Sequence, residues 1–118
     1  MKRTTCTLEL LDVVTSGEAA LAAELDVING LNVFPVPDGD TGTNMLATVH
    51  EALSQAASAD SPAEVAGKLA RGALLGARGN SGVILSQLFR ALGDTMRDQP
   101  VLSGCLLYTL TLPTILRV

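Results

Sequence analysis

Two aspartates, Asp38 and Asp40, stand on either side of one glycine in the segment 37–40. Glycine lets the backbone turn tightly, so both carboxylates can point at one place. Mg²⁺ prefers oxygen ligands and is usually held by one or two carboxylates together with water and phosphate oxygens. Side chains with hydroxyl or amide groups follow directly: Thr41, Thr43 and Asn44. The segment suits a Mg²⁺ site, and a surface turn with an aspartate cap is the alternative that these residue types leave open.

A second bend, at residues 79–82, precedes another predicted helix. Its residues are Gly79, Asn80, Ser81 and Gly82. Backbone N–H groups at the start of a helix can hold a phosphate, and glycines let a nucleotide approach the chain closely. The bend lacks the Gly-Lys-Ser/Thr of a Walker A loop and the spacing of a dinucleotide fingerprint. A plain corner between two closely packed helices is therefore the alternative.

Four amphipathic helices are predicted around these bends. The 3.6-residue spacing of apolar side chains predicts helices over about 8–29, 43–57, 62–75 and 81–97. Pro35 and Pro37 prevent a helix in the first loop. Ser61 can cap the third helix, Pro62 suits its first position, and Glu64 can reach back to complete a capping box. Both bends therefore feed directly into helices.

The composition favours one helical domain that does not bind nucleic acid. The chain has 118 residues, of which 47% are hydrophobic and only 3% aromatic. A core built from Ala, Leu and Val favours helices over strands. The net charge is −4 and the basic residues are scattered, whereas nucleic-acid binding normally needs a basic stripe. Cys6 and Cys105 lie far apart and no secretory apolar run begins the chain, so a cytoplasmic protein with reduced thiols is expected.

The last segment differs in character from the rest of the chain. Residues 101–118 are rich in Leu and Thr and carry one charge, Arg117. This predicts a division into a domain over 1–100 and a divergent apolar tail over 101–118. A membrane span usually needs about 20 apolar residues, and the tail is shorter and interrupted. No membrane span is expected, although a small membrane-attached protein using residues 101–116 is a minor alternative.

Two long blocks resemble the signature segments of the ATP-binding subunit of fatty acid kinases. The blocks are residues 31–45 (LNVFPVPDGDTGTNM) and 76–87 (GARGNSGVILSQ). The similarity covers roughly residues 8–92, and the wider family includes the nucleotide-binding subunit of dihydroxyacetone kinases. The resemblance implies an all-α fold in which antiparallel helices close into a barrel. With about four helices, this chain would form a partial barrel.

The resemblance also implies roles for residues in both bends. Asp38 and Asp40 match the aspartates that hold the Mg²⁺ ions bridging the phosphates of ATP. Asn32 is the nearest candidate for a third metal ligand, where some relatives have an aspartate upstream. The positions implied to contact ATP are Thr41, Thr43, Asn44, Gly79, Asn80, Ser81 and Gly82. The implied cofactors are thus ATP and Mg²⁺, and no catalytic residue is assigned.

The implied reaction is transfer of phosphate from ATP to the carboxylate of a fatty acid. A separate fatty-acid-binding partner protein would present the acid. The alternatives are a phosphotransferase resembling dihydroxyacetone kinase and an inactive, truncated kinase fragment. The family domain is nearly twice as long, with about eight helices, and the tail looks like the end of a truncated or frame-shifted gene. Half a barrel would leave an apolar face uncovered, which favours instability or association, including a homo-oligomer.

Overall fold

A computed structural model describes residues 5–33 and 36–97, with side chains from Leu10 onward. The described residues form five α-helices and no strand, which confirms the all-α prediction. The helices are α1 (Thr5–Ala23), α2 (Leu25–Leu31), α3 (Thr41–Ala56), α4 (Pro62–Gly76) and α5 (Gly79–Met96). None of them has the length and apolar character needed to cross a membrane. The predicted tail over 101–118 lies outside the described residues.

The first predicted helix is in fact two. The chain leaves helical geometry at Glu24, where φ is −102° and ψ is 12°, and α2 begins at the next residue. The turn brings α2 against the start of α3, where Gly42 lies close to Leu25 and Asn29. Apolar spacing continues on both sides of the break, so periodicity alone does not reveal it. The other three helices agree with their predicted ranges within about two residues.

The start of α4 confirms the prediction of a capped helix. The Ser61 backbone is extended, and its Oγ accepts a hydrogen bond from the Glu64 N–H at 3.2 Å. The return bond differs from the predicted capping box, because Glu64 Oε2 accepts from the Asp60 N–H at 3.2 Å. Glu64 Oε1 also lies 3.3 Å from Lys68 Nζ. The local sequence therefore determines where this helix begins.

Replacing Glu64 by Gln is expected to lower stability slightly at pH 7 and not at pH 3. The bond from the Asp60 N–H, aided by Lys68, lowers the pKa of Glu64 below 4.5 in the folded protein. A carboxyl with a lowered pKa stabilises the fold above its unfolded pKa, and the effect is lost as the pH falls through the folded value. Urea unfolding of both proteins at the two pH values measures this. An equal difference at pH 3 would contradict it.

Helix α4 lies between α3 and α5 and runs antiparallel to both. Gly72 on α4 is close to the backbone of Ala52 on α3, and Gly93 on α5 faces Ala66 near the start of α4. The buried cluster between the helices is Leu10, Ala52, Ala56, Ala59, Val65, Ala66, Leu69, Ala73, Leu92 and Met96. Small side chains let the helices approach closely. Because α4 runs antiparallel to both neighbours, α3 and α5 point the same way, and both begin at one end of the molecule.

Several large apolar side chains remain exposed. On α5 these are Val83, Ile84 and Leu88, and on α4 they are Leu74 and Leu75, which are 65% and 67% exposed. This agrees with the expectation that a partial barrel leaves apolar side chains uncovered. Association into a homo-oligomer stays a prediction.

Candidate functional site

The two bends meet at one pocket of about 360 Å³, at the end of the molecule where α3 and α5 begin. Its lining residues are Asn32, Val36, Asp38, Asp40, Thr41, Asn44, Gly79, Asn80 and Ser81. Two of the ten predicted site residues are not part of this lining. Thr43 turns toward Asn29 on α2, and Gly82 lies against Thr48 on α3.

The acidic loop leaves both of its carboxylates available. Gly39 has a φ of 64°, which glycine adopts without strain and which lets the loop turn between the aspartates. Asp38 and Asp40 are exposed. Asp40 occupies the cap position of α3, yet its side chain makes no capping hydrogen bond. The alternative of a simple aspartate cap is therefore not what the structure shows.

Two asparagines cap α3 instead. Asn32 Oδ1 accepts from the N–H groups of Asp40 at 3.0 Å and Thr41 at 3.2 Å. Asn29 accepts from the Thr43 N–H at 3.2 Å, and its Nδ2 donates to Thr43 Oγ1 at 3.0 Å. These bonds occupy two of the three N–H groups that begin α3. The expectation that this helix offers a set of free N–H groups to an anion is thus wrong for Thr41 and Thr43, and only the Gly42 N–H has no acceptor among the described residues.

These bonds also bear on the predicted metal ligand Asn32. An amide oxygen accepts two hydrogen bonds, and both acceptor positions of Asn32 are in use. Its observed contacts hold the acidic loop onto α2, and its role as a ligand stays a prediction. Asn29 was not identified from the sequence. The signal that could have revealed it is its position about one turn before Asn32, which directly follows the last residue of α2.

The second bend presents open backbone donors. Gly79 has a φ of 66° and begins α5, while Arg78 before it is extended. The first intrahelical bond of α5 runs from the Gly82 N–H to the Arg78 carbonyl at 3.1 Å. The N–H groups of the three residues between them have no acceptor among the described residues. Together with the positive end of the helix dipole, they form a suitable site for an anion.

Direct contacts join the two bends. Ser81 Oγ donates to the Thr41 carbonyl at 3.3 Å. The Asn44 side chain lies against Gly79 so closely that a Cβ at this glycine would collide with Asn44 Nδ2. The relative position of acidic loop and open helix start is therefore determined by specific contacts.

The available donors suit Mg²⁺ better than a metal bound only by protein groups. No cluster of three or more His, Cys, Asp or Glu side chains occurs within residues 5–33 and 36–97. A cation at Asp38 and Asp40 would complete its coordination with water or with oxygens of a bound ligand, as Mg²⁺ commonly does at phosphate sites. The donor set therefore fits a Mg²⁺ ion shared with a phosphate ligand.

Comparison with known proteins agrees with the wider resemblance, the one to the family that includes the dihydroxyacetone kinases. The model of the DAK2 domain matches residues 35–110, which extends past the predicted boundary at residue 100. An uncharacterized protein of Staphylococcus haemolyticus is 47% identical over 81 residues, covering 67% of this chain and 15% of that protein. An uncharacterized protein of Staphylococcus aureus (strain USA300) is 40% identical over 98 residues, covering 81% of this chain and 18% of that protein.

The chain thus spans less than a fifth of the length of the curated relatives it matches. The family match covers more than half of the chain and includes both bends of the pocket. The chain therefore belongs to the DAK2 domain family, that of the dihydroxyacetone kinases.

Proposed function

We propose that this chain is the Mg-ATP-binding part of a kinase that phosphorylates a fatty acid presented by a separate fatty-acid-binding partner protein. The observation that carries the proposal is the shared pocket, in which Asp38 and Asp40 lie opposite the open start of α5. Family membership supports the kinase class. The choice of a fatty acid rests on the resemblance of residues 31–45 to that branch.

Electrostatics explains why one pocket would hold both a cation and a triphosphate. A phosphate bound to the N–H groups of Gly79, Asn80 and Ser81 would lie near two carboxylates of the same sign of charge. A divalent cation between them turns this repulsion into attraction and offsets phosphate charge during transfer. Asp38 and Asp40 would hold Mg²⁺, and the start of α5 would orient the phosphates. Positioning and charge compensation are the main demands of phosphoryl transfer.

The pocket favours a carboxylate as the phosphate acceptor. Among the described residues, the ionisable ones that line it are Asp38 and Asp40, both assigned to the metal. A carboxylate attacks without first losing a proton, whereas a hydroxyl group such as that of dihydroxyacetone benefits from a general base. The dihydroxyacetone kinase-like alternative draws its support from the family match. Hydroxylamine trapping of an acyl phosphate would identify the first reaction, and a stable phosphate ester would identify the second.

Binding of Mg-ATP by the 118-residue chain is the direct test of the proposal. We expect Mg-ATP to raise the melting temperature with increasing concentration, because ligand binding to the folded state stabilises it by about 2.7 kcal/mol at a hundred times Kd. ATP with EDTA, and Mg²⁺ alone, should have little effect. Circular dichroism and size-exclusion chromatography establish that the sample is folded. A folded sample without an Mg-ATP shift would favour the inactive fragment and contradict the proposal.

A further inference from the structure

Thr48 is a fully buried polar residue in the middle of α3, and the sequence suggested no role for it. Its hydroxyl makes two hydrogen bonds. Oγ1 donates to the Asn44 carbonyl one turn earlier at 2.8 Å, and it accepts from the Arg78 N–H of the second bend at 3.3 Å. The first bond lies within α3, and the second joins α3 to the start of α5.

The contacts of Thr48 lie at both ends of the phosphate-binding segment proposed above. Arg78 immediately precedes that segment, and Gly82 immediately follows it. Gly82 approaches Thr48 so closely that an added Cβ would lie 2.5 Å from Thr48 Oγ1. The three residues with open N–H groups lie between these two contacts. One buried hydroxyl therefore bonds the first end of the bend to α3 and lies close to the second end.

The hydroxyl is also a replacement for a missing backbone partner. The Arg78 N–H has no acceptor other than Thr48 Oγ1 among the described residues. Arg78 itself is exposed and this bond is part-buried, but an N–H group turned toward the buried Thr48 side chain loses free energy when it has no partner there. Valine has nearly the shape of threonine but no hydroxyl, so it would fill the space and leave this N–H unpaired. A movement of the bend away from α3 would then be favourable, because it would let the Arg78 N–H bond to water.

We propose that Thr48 is a positioning residue whose hydroxyl holds the start of α5 in register with the acidic loop. It is not among the residues that line the pocket. Its effect on nucleotide binding rests on the proposed function, whereas its effect on the position of the bend does not. The hydroxyl supplies both a donor and an acceptor, so serine should replace it and valine should not.

The test compares Thr48→Val with Thr48→Ser in the full chain. Amide hydrogen exchange, followed by NMR, should show a protected Arg78 N–H in the wild type and in Thr48→Ser. In Thr48→Val this amide should exchange at least about tenfold faster, as loss of one such bond implies. Calorimetric titration with Mg-ATP should show about tenfold weaker binding for Thr48→Val and little change for Thr48→Ser.

Val65→Ala is the matched control for a loss of stability. Val65 is fully buried near the start of α4, away from both bends, so its truncation destabilises the core without touching either bend. It should leave both the Arg78 exchange rate and the affinity unchanged at a temperature where the protein is folded. Equal losses of affinity in Val65→Ala and Thr48→Val would overturn the inference. So would a Thr48→Val protein that does not fold, since a positioning role requires the fold to survive.

The two proposals fail in different ways. If the wild type does not bind Mg-ATP, the proposed function is wrong, and Arg78 exchange alone decides the role of Thr48. If the wild type binds Mg-ATP and Thr48→Val exchanges Arg78 at the wild-type rate, the positioning role is wrong and the proposed function stands.

Discussion

Replacing Asp38 by Asn is expected to abolish Mg-dependent binding of ATP while leaving the fold intact. The side chain is exposed and makes no hydrogen bond with the described residues, so the substitution removes charge without removing packing. Mg²⁺ would lose one of its two carboxylates, and the triphosphate would lose the cation that holds it beside Asp40. Loss of a residue that only hydrogen-bonds to a metal's ligands already lowers metal affinity about 10- to 100-fold. Loss of a direct ligand should therefore lower the affinity at least about 100-fold. Calorimetric titration with Mg-ATP measures the loss.

Asp94→Asn makes the same charge change at a distant site and is the control. Asp94 is exposed near the end of α5, roughly 22 Å along the helix from Gly79, and forms a surface pair with Arg97. Exposed pairs contribute little to stability, so this variant should bind Mg-ATP as the wild type does. Unchanged Mg-dependent binding by Asp38→Asn would show that the acidic loop is not the metal site.

Replacing Gly79 by Ala is expected to lower both stability and nucleotide affinity. The glycine has a φ of 66°, a left-handed conformation that costs an alanine about 1–2 kcal/mol. An added Cβ would also collide with the Asn44 side chain, which lines the same pocket. Relief of either strain moves the open N–H groups at the start of α5. Urea unfolding should show a loss of about 1–2 kcal/mol, and Mg-ATP binding should weaken at least about tenfold.

Gly67→Ala is the matched control because it makes the same change inside a helix. A Cβ at Gly67 meets no atom within 4 Å, and its φ is not in the left-handed region. Alanine is favoured over glycine in a helix by about 1 kcal/mol, so this variant should be more stable and should bind Mg-ATP normally. If Gly79→Ala matched Gly67→Ala in stability and affinity, the bend would not need its left-handed glycine.

Both predictions depend on the arrangement of α3, α4 and α5. Because α4 runs antiparallel to its two neighbours, the starts of α3 and α5 share one end of the molecule. Each start has a left-handed glycine: Gly39 lies two residues before α3, and Gly79 is the first residue of α5. The same arrangement places Thr48 on α3 beside Arg78, where its hydroxyl can act on the second bend. The pocket is therefore a property of helix packing as well as of the two loops.

The sequence by itself determined the helical class, most helix ends and the two bends. These features depend on local physics: apolar spacing of 3.6 residues, prolines that exclude a helix, and a serine cap with a proline beside it at the start of α4. Ser61 and Pro62 illustrate this, because their effects need no contact beyond the next turn. The sequence also predicted a cation site at Asp38 and Asp40, because a pair of carboxylates around a glycine suits a cation; binding of the cation stays a prediction.

Only the tertiary structure decided which groups are free and which are occupied. Asn29 of α2 and Asn32 directly after it cap α3, so Asp40 keeps its carboxylate available and Thr41 and Thr43 do not offer their N–H groups. The bond between Thr48 and Arg78 likewise joins residues that lie 30 positions apart in the chain. Such contacts form when separate helices pack, and one-dimensional spacing carries no record of which hydrogen-bond partner will be nearest.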